Sequence, residues 1–172
     1  MRTDMDTAER LLRTGKDAIV SPCGSYRYLL QRSWDVKLEA VCFVMLNPST
    51  ADASVDDPTI RRCLGFAQRL GFGQLEVVNL FALRATDPEK LRKHHDPVGP
   101  ENDEQIVAAT YVCNLTICAW GSNGGYKDRD KTVLKLLRDN GIKPHALRAN
   151  KDGHPAHPLY LPYLVKPTLM ME

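Results

Sequence analysis

Short polar segments follow several apolar runs of this 172-residue chain, and they contain the residues best suited to chemistry. Asn47 and Pro48 come directly after the apolar run that ends at Leu46. Because Pro48 favours an extended conformation at Asn47, we expect the Asn amide to leave the sheet facing a crevice. Ser49 adds a hydroxyl group and a backbone amide that could bind an anion. The alternative is a proline turn in which the Asn amide satisfies its own backbone.

Three aspartates follow in the same segment, and one of them is a candidate general base. A carboxylate close to a sheet edge can activate water. Asp57 precedes Pro58, and this pair is typical of a helix N-cap followed by proline at the first helical position. Asp52 has no such structural explanation. We therefore predict Asp52, rather than Asp57, as the catalytic carboxylate.

Polar or aromatic residues also mark the ends of two further apolar runs. Asn79 interrupts VVNLF, where a buried amide needs partners such as the edge of a nucleobase or the backbone of a neighbouring loop. Arg84 and Thr86, farther along, are placed to reach a phosphate. Trp120 and Gly121 begin a glycine-rich segment that permits close approach of a ligand to the backbone. The alternative for Trp120 is that its indole fills the core.

Two histidines lie in the proline-punctuated segment GHPAHPLYLP near the C-terminus. His154 and His157 could each donate a hydrogen bond to negative charge that develops on a leaving group. Two histidines three residues apart make a poor metal site without a third ligand nearby, and the run from His94 to Asp96 is no better. The sequence therefore predicts no metal and no cofactor.

The elements that would position these residues alternate between apolar strands and helical segments. Strands are predicted over residues 38–46, 75–81, 114–120 and 143–149, after an alternating N-terminal strand over 25–34. Helices are predicted over residues 7–15, 57–71, 87–95, 99–113 and 128–141. Strands separated by helices imply right-handed crossovers and a parallel sheet. We expect one α/β domain over residues 1–172, with three α/β/α layers, a central four-stranded mainly parallel sheet and an added N-terminal strand or hairpin.

This arrangement brings the polar segments together. All parallel strands end at the same edge of a sheet, and open α/β folds bind their ligands outside that edge. Asn47, Asn79, Trp120 and the segment containing His157 each follow a different predicted strand. We therefore expect them to share one crevice.

The composition indicates the cellular environment of the protein more clearly than its binding partner. The net charge of +2 indicates no particular partner. Basic residues crowd the last third of the chain, where they could hold phosphates or form a solvated face. The five cysteines include no C-x-x-C pair, and four lie in apolar segments, as expected of reduced core thiols. No apolar leader or membrane-length segment is evident, so we expect a soluble, cytoplasmic protein without a membrane partner.

The motifs carry two resemblances. YRYLLQRSW, VMLNPSTAD, VVNLFALRATDP and DGHPAHPLYL together resemble a bacterial and phage family, domain-of-unknown-function family 1643, over nearly the whole chain. More distantly, the order of motifs is similar to the uracil-DNA glycosylase superfamily. That superfamily has a Pro-containing motif after its first strand, a base-reading Asn at a later strand end, a small-residue segment and a terminal His-Pro motif. LNPST, VVNLF, AWGSNG and HPLYL match these four in order.

The second resemblance implies a uracil-DNA glycosylase-like fold and hydrolysis of an N-glycosidic bond. It implies that Asn47 positions a water, that Asn79 reads the base edge and that His157 stabilises charge on the departing base. A DNA substrate would need its nucleotide flipped out of the stack. No aromatic residue comes just after Pro48, and HPLYL lacks the Ser that the superfamily uses to contact phosphate. DNA, RNA and a free nucleotide therefore all stay open as substrates.

Two other functions fit the same residues. The first is a non-catalytic module that binds a nucleobase, a nucleotide or nucleic acid in the same crevice. The second is an unrelated hydrolase on a doubly wound sheet, because a fold does not fix its chemistry. The sequence indicates no oligomeric state.

Overall fold

The computed structural model describes residue 9 and residues 12–171 of the chain. The described strands are Gly15–Val20 (β1), Arg27–Ser33 (β2), Ala40–Met45 (β3), Gln74–Asn79 (β4), Leu115–Cys118 (β5), Pro144–Ala146 (β6) and Thr168–Leu169 (β7). The described helices are Pro58–Arg69 (α1), Pro88–Lys93 (α2), Asn102–Val112 (α3) and Arg129–Asp139 (α4). Two 3₁₀ helices cover Ser122–Asp128 and Pro158–Tyr160. The helix predicted over residues 7–15 lies largely outside the described residues, and its last residue, Gly15, begins β1.

All these strands form one sheet in the order β1-β2-β4-β3-β5-β6-β7. The four predicted core strands, β4, β3, β5 and β6, are parallel neighbours. Strands β1 and β2 form an antiparallel hairpin that pairs with β4, and β7 pairs antiparallel with β6. The mixed α/β class and the mainly parallel core are confirmed. The sheet has seven strands rather than four, because antiparallel strands extend it at both edges.

Helices pack on both faces of this sheet. Along β3, Val41 and Phe43 belong to one buried cluster, while Cys42 and Val44 belong to the other, as the alternation of side chains in a strand requires. The cluster with Phe43 contains the apolar face of α1. The cluster with Cys42 contains buried residues of α3 and α4. Both faces of β3 are therefore closed to water, as expected for a central parallel strand.

Helix α1 begins as predicted, with an aspartate cap followed by proline. Asp57 is the N-cap, and its Oδ1 accepts a hydrogen bond from the Ile60 backbone N–H at 2.8 Å. Pro58 occupies the first turn, and Gly71, at φ 87°, follows the end of the helix. A proline costs nothing at that position because its missing N–H would have no helical partner. The predicted cap is confirmed.

Strand β2 differs from the alternating strand that was predicted, because every one of its residues is buried. Helix α3 contacts it, and the loop after β3 supplies polar partners. Arg32 donates from Nε to Asp56 Oδ1 at 2.7 Å and from Nη2 to the Asp52 carbonyl oxygen at 2.7 Å. Polar residues of β2 therefore do not face solvent, and the strand brings arginines into the interior.

All five cysteines are free thiols, and three of them, Cys42, Cys63 and Cys118, are buried. Burial raises the pKa of the Cys63 and Cys118 thiols, so both are neutral and unreactive at physiological pH. Among residues 12–171, no helix combines the length and the apolar character that crossing a membrane requires.

Candidate functional site

A cavity of about 350 Å³ opens where the parallel strands end. Its volume lies within the range that small-molecule sites occupy. The lining residues come from the ends of β3 and β4, from the segments that follow β3, β4, β5 and β6, from the start of α1, and from the first residue of β2. Apolar lining is supplied by Met45, Ile60 and Val77, all buried in one core cluster. The cavity therefore offers an apolar surface surrounded by polar strand ends.

The structure brings seven of the eleven predicted site residues together around this cavity. They are Asn47, Ser49, Asn79, Thr86, Trp120, Gly121 and His157. The other four, Pro48, Asp52, Arg84 and His154, do not line it.

The amide of Asn47 is held in one orientation. Its Nδ2 donates to the Ala85 carbonyl oxygen at 2.7 Å and to the Pro48 carbonyl oxygen at 3.0 Å. The Ala85 N–H donates to the same Pro48 oxygen at 3.0 Å, so Pro48 joins the loops that follow β3 and β4. Both amide hydrogens are therefore used by the protein. The Oδ1 atom is the part of the side chain that can accept a hydrogen bond from a water or a ligand.

His157 has a defined tautomer. Its Nδ1 accepts a hydrogen bond from the Leu159 backbone N–H at 3.2 Å and caps the 3₁₀ helix Pro158–Tyr160. A neutral imidazole that accepts at Nδ1 carries its proton on Nε2. Burial lowers the pKa of His157 below its ordinary value of 6.5, and the negative charge of Asp57 offsets only part of that effect. At neutral pH the ring is therefore uncharged, with Nε2–H as a donor.

Asn79 is almost completely enclosed. It is 1% exposed, and its Nδ2 has no hydrogen-bonding partner among the described residues. Asn102 of α3 fixes the backbone here, because its Nδ2 donates to the carbonyl oxygens of Asn79 at 3.0 Å and Leu80 at 3.1 Å. A buried amide without a partner is unfavourable by roughly 1–3 kcal/mol. A ligand in the cavity could supply the missing acceptor.

Trp120 and Gly121 connect the third strand end to the histidine segment. Trp120 is 2% exposed, and it packs so closely on Gly124 that a Cβ there would lie 2.1 Å from indole Cδ1. Gly121 adopts φ 75°, a conformation that favours glycine, and its N–H donates to the Pro155 carbonyl oxygen at 2.9 Å. This hydrogen bond fixes the histidine segment beside the end of β5. Trp120 thus both fills the core and lines the cavity.

The carboxylate that lines the cavity is Asp57. Its Oδ1 caps α1, and its Oδ2 accepts from the Ala51 N–H at 3.3 Å. The carboxylate of Asp52 instead accepts from the Ser54 and Val55 backbone N–H groups, both at 2.8 Å, in an exposed turn. These hydrogen bonds hold the pKa of Asp52 below its usual value. Asp57, the predicted helix cap, therefore also lines the cavity, whereas Asp52, the predicted catalytic carboxylate, does not.

Arg27 lines the cavity and was not predicted. It is 2% exposed, and its Nη1 donates to the Ala51 carbonyl oxygen at 2.5 Å. Burial lowers its pKa to about 10, which the charge of Asp57 partly opposes. Thr86, Ser122, Asn123 and Tyr160 also line the cavity, and the Tyr160 ring is largely exposed. The one sequence signal for Arg27 was a charge at the start of an apolar strand.

Two predicted binding residues lie elsewhere. Arg84 is exposed, and its backbone N–H donates to the Ser25 carbonyl oxygen at 2.9 Å. His154 Nδ1 lies 3.6 Å from Asp130 Oδ2, beside Gly125. In the described part of the chain, no group of three or more His, Cys, Asp or Glu side chains is arranged to hold a metal ion.

Fold and site together define a mixed α/β protein with a ligand-sized cavity at the carboxyl ends of parallel strands. A family model described as "Protein of unknown function (DUF1643)" matches residues 27–159, and the chain belongs to this family. The first of the two resemblances is thereby confirmed. No curated protein and no solved structure matches the chain. The matched range begins at Arg27 and includes every cavity-lining residue except Tyr160.

Acid is expected to destabilise the protein through His157. Because burial lowers the pKa of His157 in the folded state, the unfolded state binds more protons just below pH 6.5, and stability rises with pH across that window. The free energy of unfolding should therefore fall as pH drops through 6.5. His157→Asn should lose less, because asparagine does not titrate and its side-chain oxygen can still cap. Thermal unfolding of both proteins between about pH 5 and pH 8 measures this. The same pH dependence in both would contradict it.

Proposed function

We propose that this protein binds a nucleobase in the cavity and hydrolyses the N-glycosidic bond that joins the base to its sugar. The observation that carries the proposal is that Asn47, Asn79 and His157 line one cavity. The proposal includes a uracil-DNA glycosylase-like arrangement of the four parallel strands, and the substrate is a base within DNA, RNA or a free nucleotide. The apolar residues Met45 and Val77 provide surface for a planar ring.

In the proposed reaction, Asn79 reads the base. A planar base has donor and acceptor atoms on its edge, and the Asn79 amide needs a partner of this kind. A base that fails to supply the acceptor leaves a buried N–H unsatisfied, which lowers its affinity. Asn79, at the end of β4, is therefore the residue that distinguishes one base from another.

Bond cleavage is assigned to the other two residues. Asn47 Oδ1 accepts a hydrogen bond from a water and orients it towards the anomeric carbon. The water oxygen bonds to that carbon, and the carbon–nitrogen bond breaks with its electron pair on the base. His157 Nε2–H donates to the negative charge that develops there. While the carbon–nitrogen bond breaks, the Asp57 carboxylate supplies negative charge near the cationic sugar. The attacking water then gives a proton to solvent and the base takes one up from solvent, so one water is consumed and the sugar and the free base are formed.

A base-release panel tests this proposal. Oligonucleotides containing uracil, hypoxanthine or modified bases, single- and double-stranded, are incubated beside free nucleosides and nucleotides, and released base is measured by chromatography. Wild-type protein is expected to release a base, and Asn47→Ala and His157→Ala are each expected to lower the rate by about 100-fold or more. Base release that neither change affects would contradict the assigned mechanism.

The predicted general base, Asp52, belongs in the same panel. A general base typically contributes about 100- to 10,000-fold to a rate. Because the Asp52 carboxylate is bound to the turn at Ser54 and Val55, we expect Asp52→Ala to lower stability and to leave the rate within about threefold. A loss of about 100-fold or more would instead make Asp52 the base.

A binding module without catalysis is the second candidate, and the state of Asp57 favours it. Both oxygens of Asp57, the one carboxylate that lines the described cavity, accept hydrogen bonds from backbone N–H groups, so this side chain already serves the protein's own backbone. Equilibrium binding distinguishes the two functions. A base or nucleotide that binds wild-type protein without turnover, and that loses affinity in Asn79→Ala, supports the binding module.

A further inference from the structure

Arg27 combines deep burial with incomplete pairing. Its Nη1 donates to the Ala51 carbonyl oxygen, but its Nε is buried without a hydrogen-bonding partner among the described residues. Arg32, on the same strand and equally buried at 2% exposure, forms an ion pair with Asp56 at 2.7 Å. Arg27 forms no comparable ion pair with any described carboxylate, although Asp57 acts on it electrostatically. The two arginines are thus matched in burial and differ in partners.

An incompletely paired guanidinium is costly in a protein interior. Burying a charged donor without a hydrogen bond costs more than burying a neutral one, and a buried charge that lacks partners strongly destabilises a protein. Arg32 meets this requirement with a carboxylate and three carbonyl oxygens. Arg27 meets it only in part within the protein. Acceptors from a ligand would complete its hydrogen bonding.

The sheet places Arg27 beside Asn79. Strands β2 and β4 are antiparallel, with Leu30 paired to Val77, so the start of β2 lies next to the carboxyl end of β4. The guanidinium reaches Ala51, in the segment that follows β3, and therefore extends across the end of β4. Arg27 and Asn79 both line the cavity, and each has a buried N–H group without a partner. Two sets of donors thus meet at one end of the cavity.

We propose that Arg27 is a ligand-binding residue that, together with Asn79, holds a pair of adjacent hydrogen-bond acceptors on the ligand. A guanidinium presents its donors as a fork that matches two neighbouring oxygen or nitrogen acceptors. The acceptor edge of a purine that carries an oxygen beside the ring nitrogen has this geometry, as do two phosphate oxygens. We assign the acceptor pair to the base, and this assignment rests on the proposed function. Arg27, which would set the preference for a base with two adjacent acceptors, comes from the antiparallel hairpin and not from the four parallel strands.

Binding measurements on matched variants test the proposal. Wild-type protein, Arg27→Lys, Arg27→Gln and the control Arg32→Lys are titrated with inosine, adenosine and inorganic phosphate by calorimetry. Inosine presents two adjacent acceptors, whereas adenosine replaces one of them with an amino group. Wild-type protein is expected to prefer inosine by about 10- to 100-fold. Both Arg27 variants should reduce that ratio to within about threefold, because lysine keeps the charge but not the fork.

Arg32→Lys changes a guanidinium of the same strand that does not line the cavity, so it should lower thermal stability while the inosine preference stays unchanged. A further outcome is that phosphate competes with inosine in wild-type protein and fails to compete in Arg27→Gln. This result would support Arg27 as the acceptor-binding residue, with phosphate oxygens rather than the base as its acceptors. Equal ligand affinities in wild-type protein and the Arg27 variants overturn the proposal, as does the absence of binding of every probe to wild-type protein. Binding without base release leaves Arg27 supported and removes the hydrolysis.

Discussion

Replacing His157 with asparagine is expected to lower the rate of base release by about 100- to 1,000-fold while the protein stays folded. The two nitrogens of His157 have separate roles. Nδ1 accepts from the Leu159 N–H at 3.2 Å and starts the 3₁₀ helix, whereas Nε2–H is the donor assigned to the departing base. Asparagine is a good capping residue, and its Oδ1 can take the place of Nδ1. It has no group that reaches the position of Nε2–H.

Two further variants separate these roles. His157→Gln has an amide that can extend as far as Nε2 but does not cap well, so it should retain more activity than His157→Asn and unfold at a lower temperature. His157→Ala should lose both properties. Single-turnover base release and thermal unfolding of the three variants measure the two effects. If His157→Asn releases base at the wild-type rate, His157 is a capping residue without a catalytic role.

The fold was predictable wherever local patterns decided it. The apolar runs at 38–46 and 75–81 predicted the central strands β3 and β4, because strands buried on both faces need continuous apolar sequence. The pair of Asp57 and Pro58 predicted the start of α1, because the cap and the missing N–H are local effects. The antiparallel strand β7 was not predicted. It consists of the residues Thr168 and Leu169 and is specified by its pairing with β6 rather than by a pattern of its own.

Buried charge was the part of the site that sequence could not reveal. The sequence predicted an alternating strand over residues 25–34, yet Arg27 and Arg32 are both buried, although arginine is rarely buried without a partner. Their partners, Ala51 and Asp56, come from a loop 24 residues away, and nothing in either segment indicates that contact. The burial of β2 therefore follows from tertiary packing, and the cavity-lining role of Arg27 follows with it.

The two aspartates show a different limit. Asp57 was interpreted as a cap, and it is one, but the same carboxylate also lines the cavity because α1 begins at the edge of the sheet. Asp52 showed no structural role in the sequence because its partners are the backbone N–H groups of Ser54 and Val55. Almost every residue has a backbone N–H group, so a sequence does not show which of them an aspartate binds. A structural role for a residue therefore does not exclude a functional one. An absent structural signal does not indicate catalysis either.

Gly124→Ala is expected to lower the stability of the protein. A Cβ at this position would lie 2.1 Å from Cδ1 and 2.5 Å from Nε1 of Trp120, well inside contact distance. The indole is 2% exposed and fixed by the core cluster, so it can move only by displacing its neighbours. Overpacking of this kind typically costs about 1–3 kcal/mol. Because Trp120 lines the cavity, its displacement should also change ligand affinity.

Gly125→Ala is the matched control for this steric argument. A Cβ on Gly125 would meet the edge of the His154 ring at 3.4 Å, an ordinary contact, and neither glycine has a positive φ. Alanine restricts the unfolded chain at both positions, which by itself stabilises by about 0.4–1 kcal/mol. Gly125→Ala should therefore unfold at or above the wild-type temperature, while Gly124→Ala unfolds lower. In a Trp34→Phe background, fluorescence reports Trp120 alone, and its emission should change in Gly124→Ala only. Equal stability and equal emission in the two variants would show that the indole does not depend on Gly124 for its place in the cavity wall.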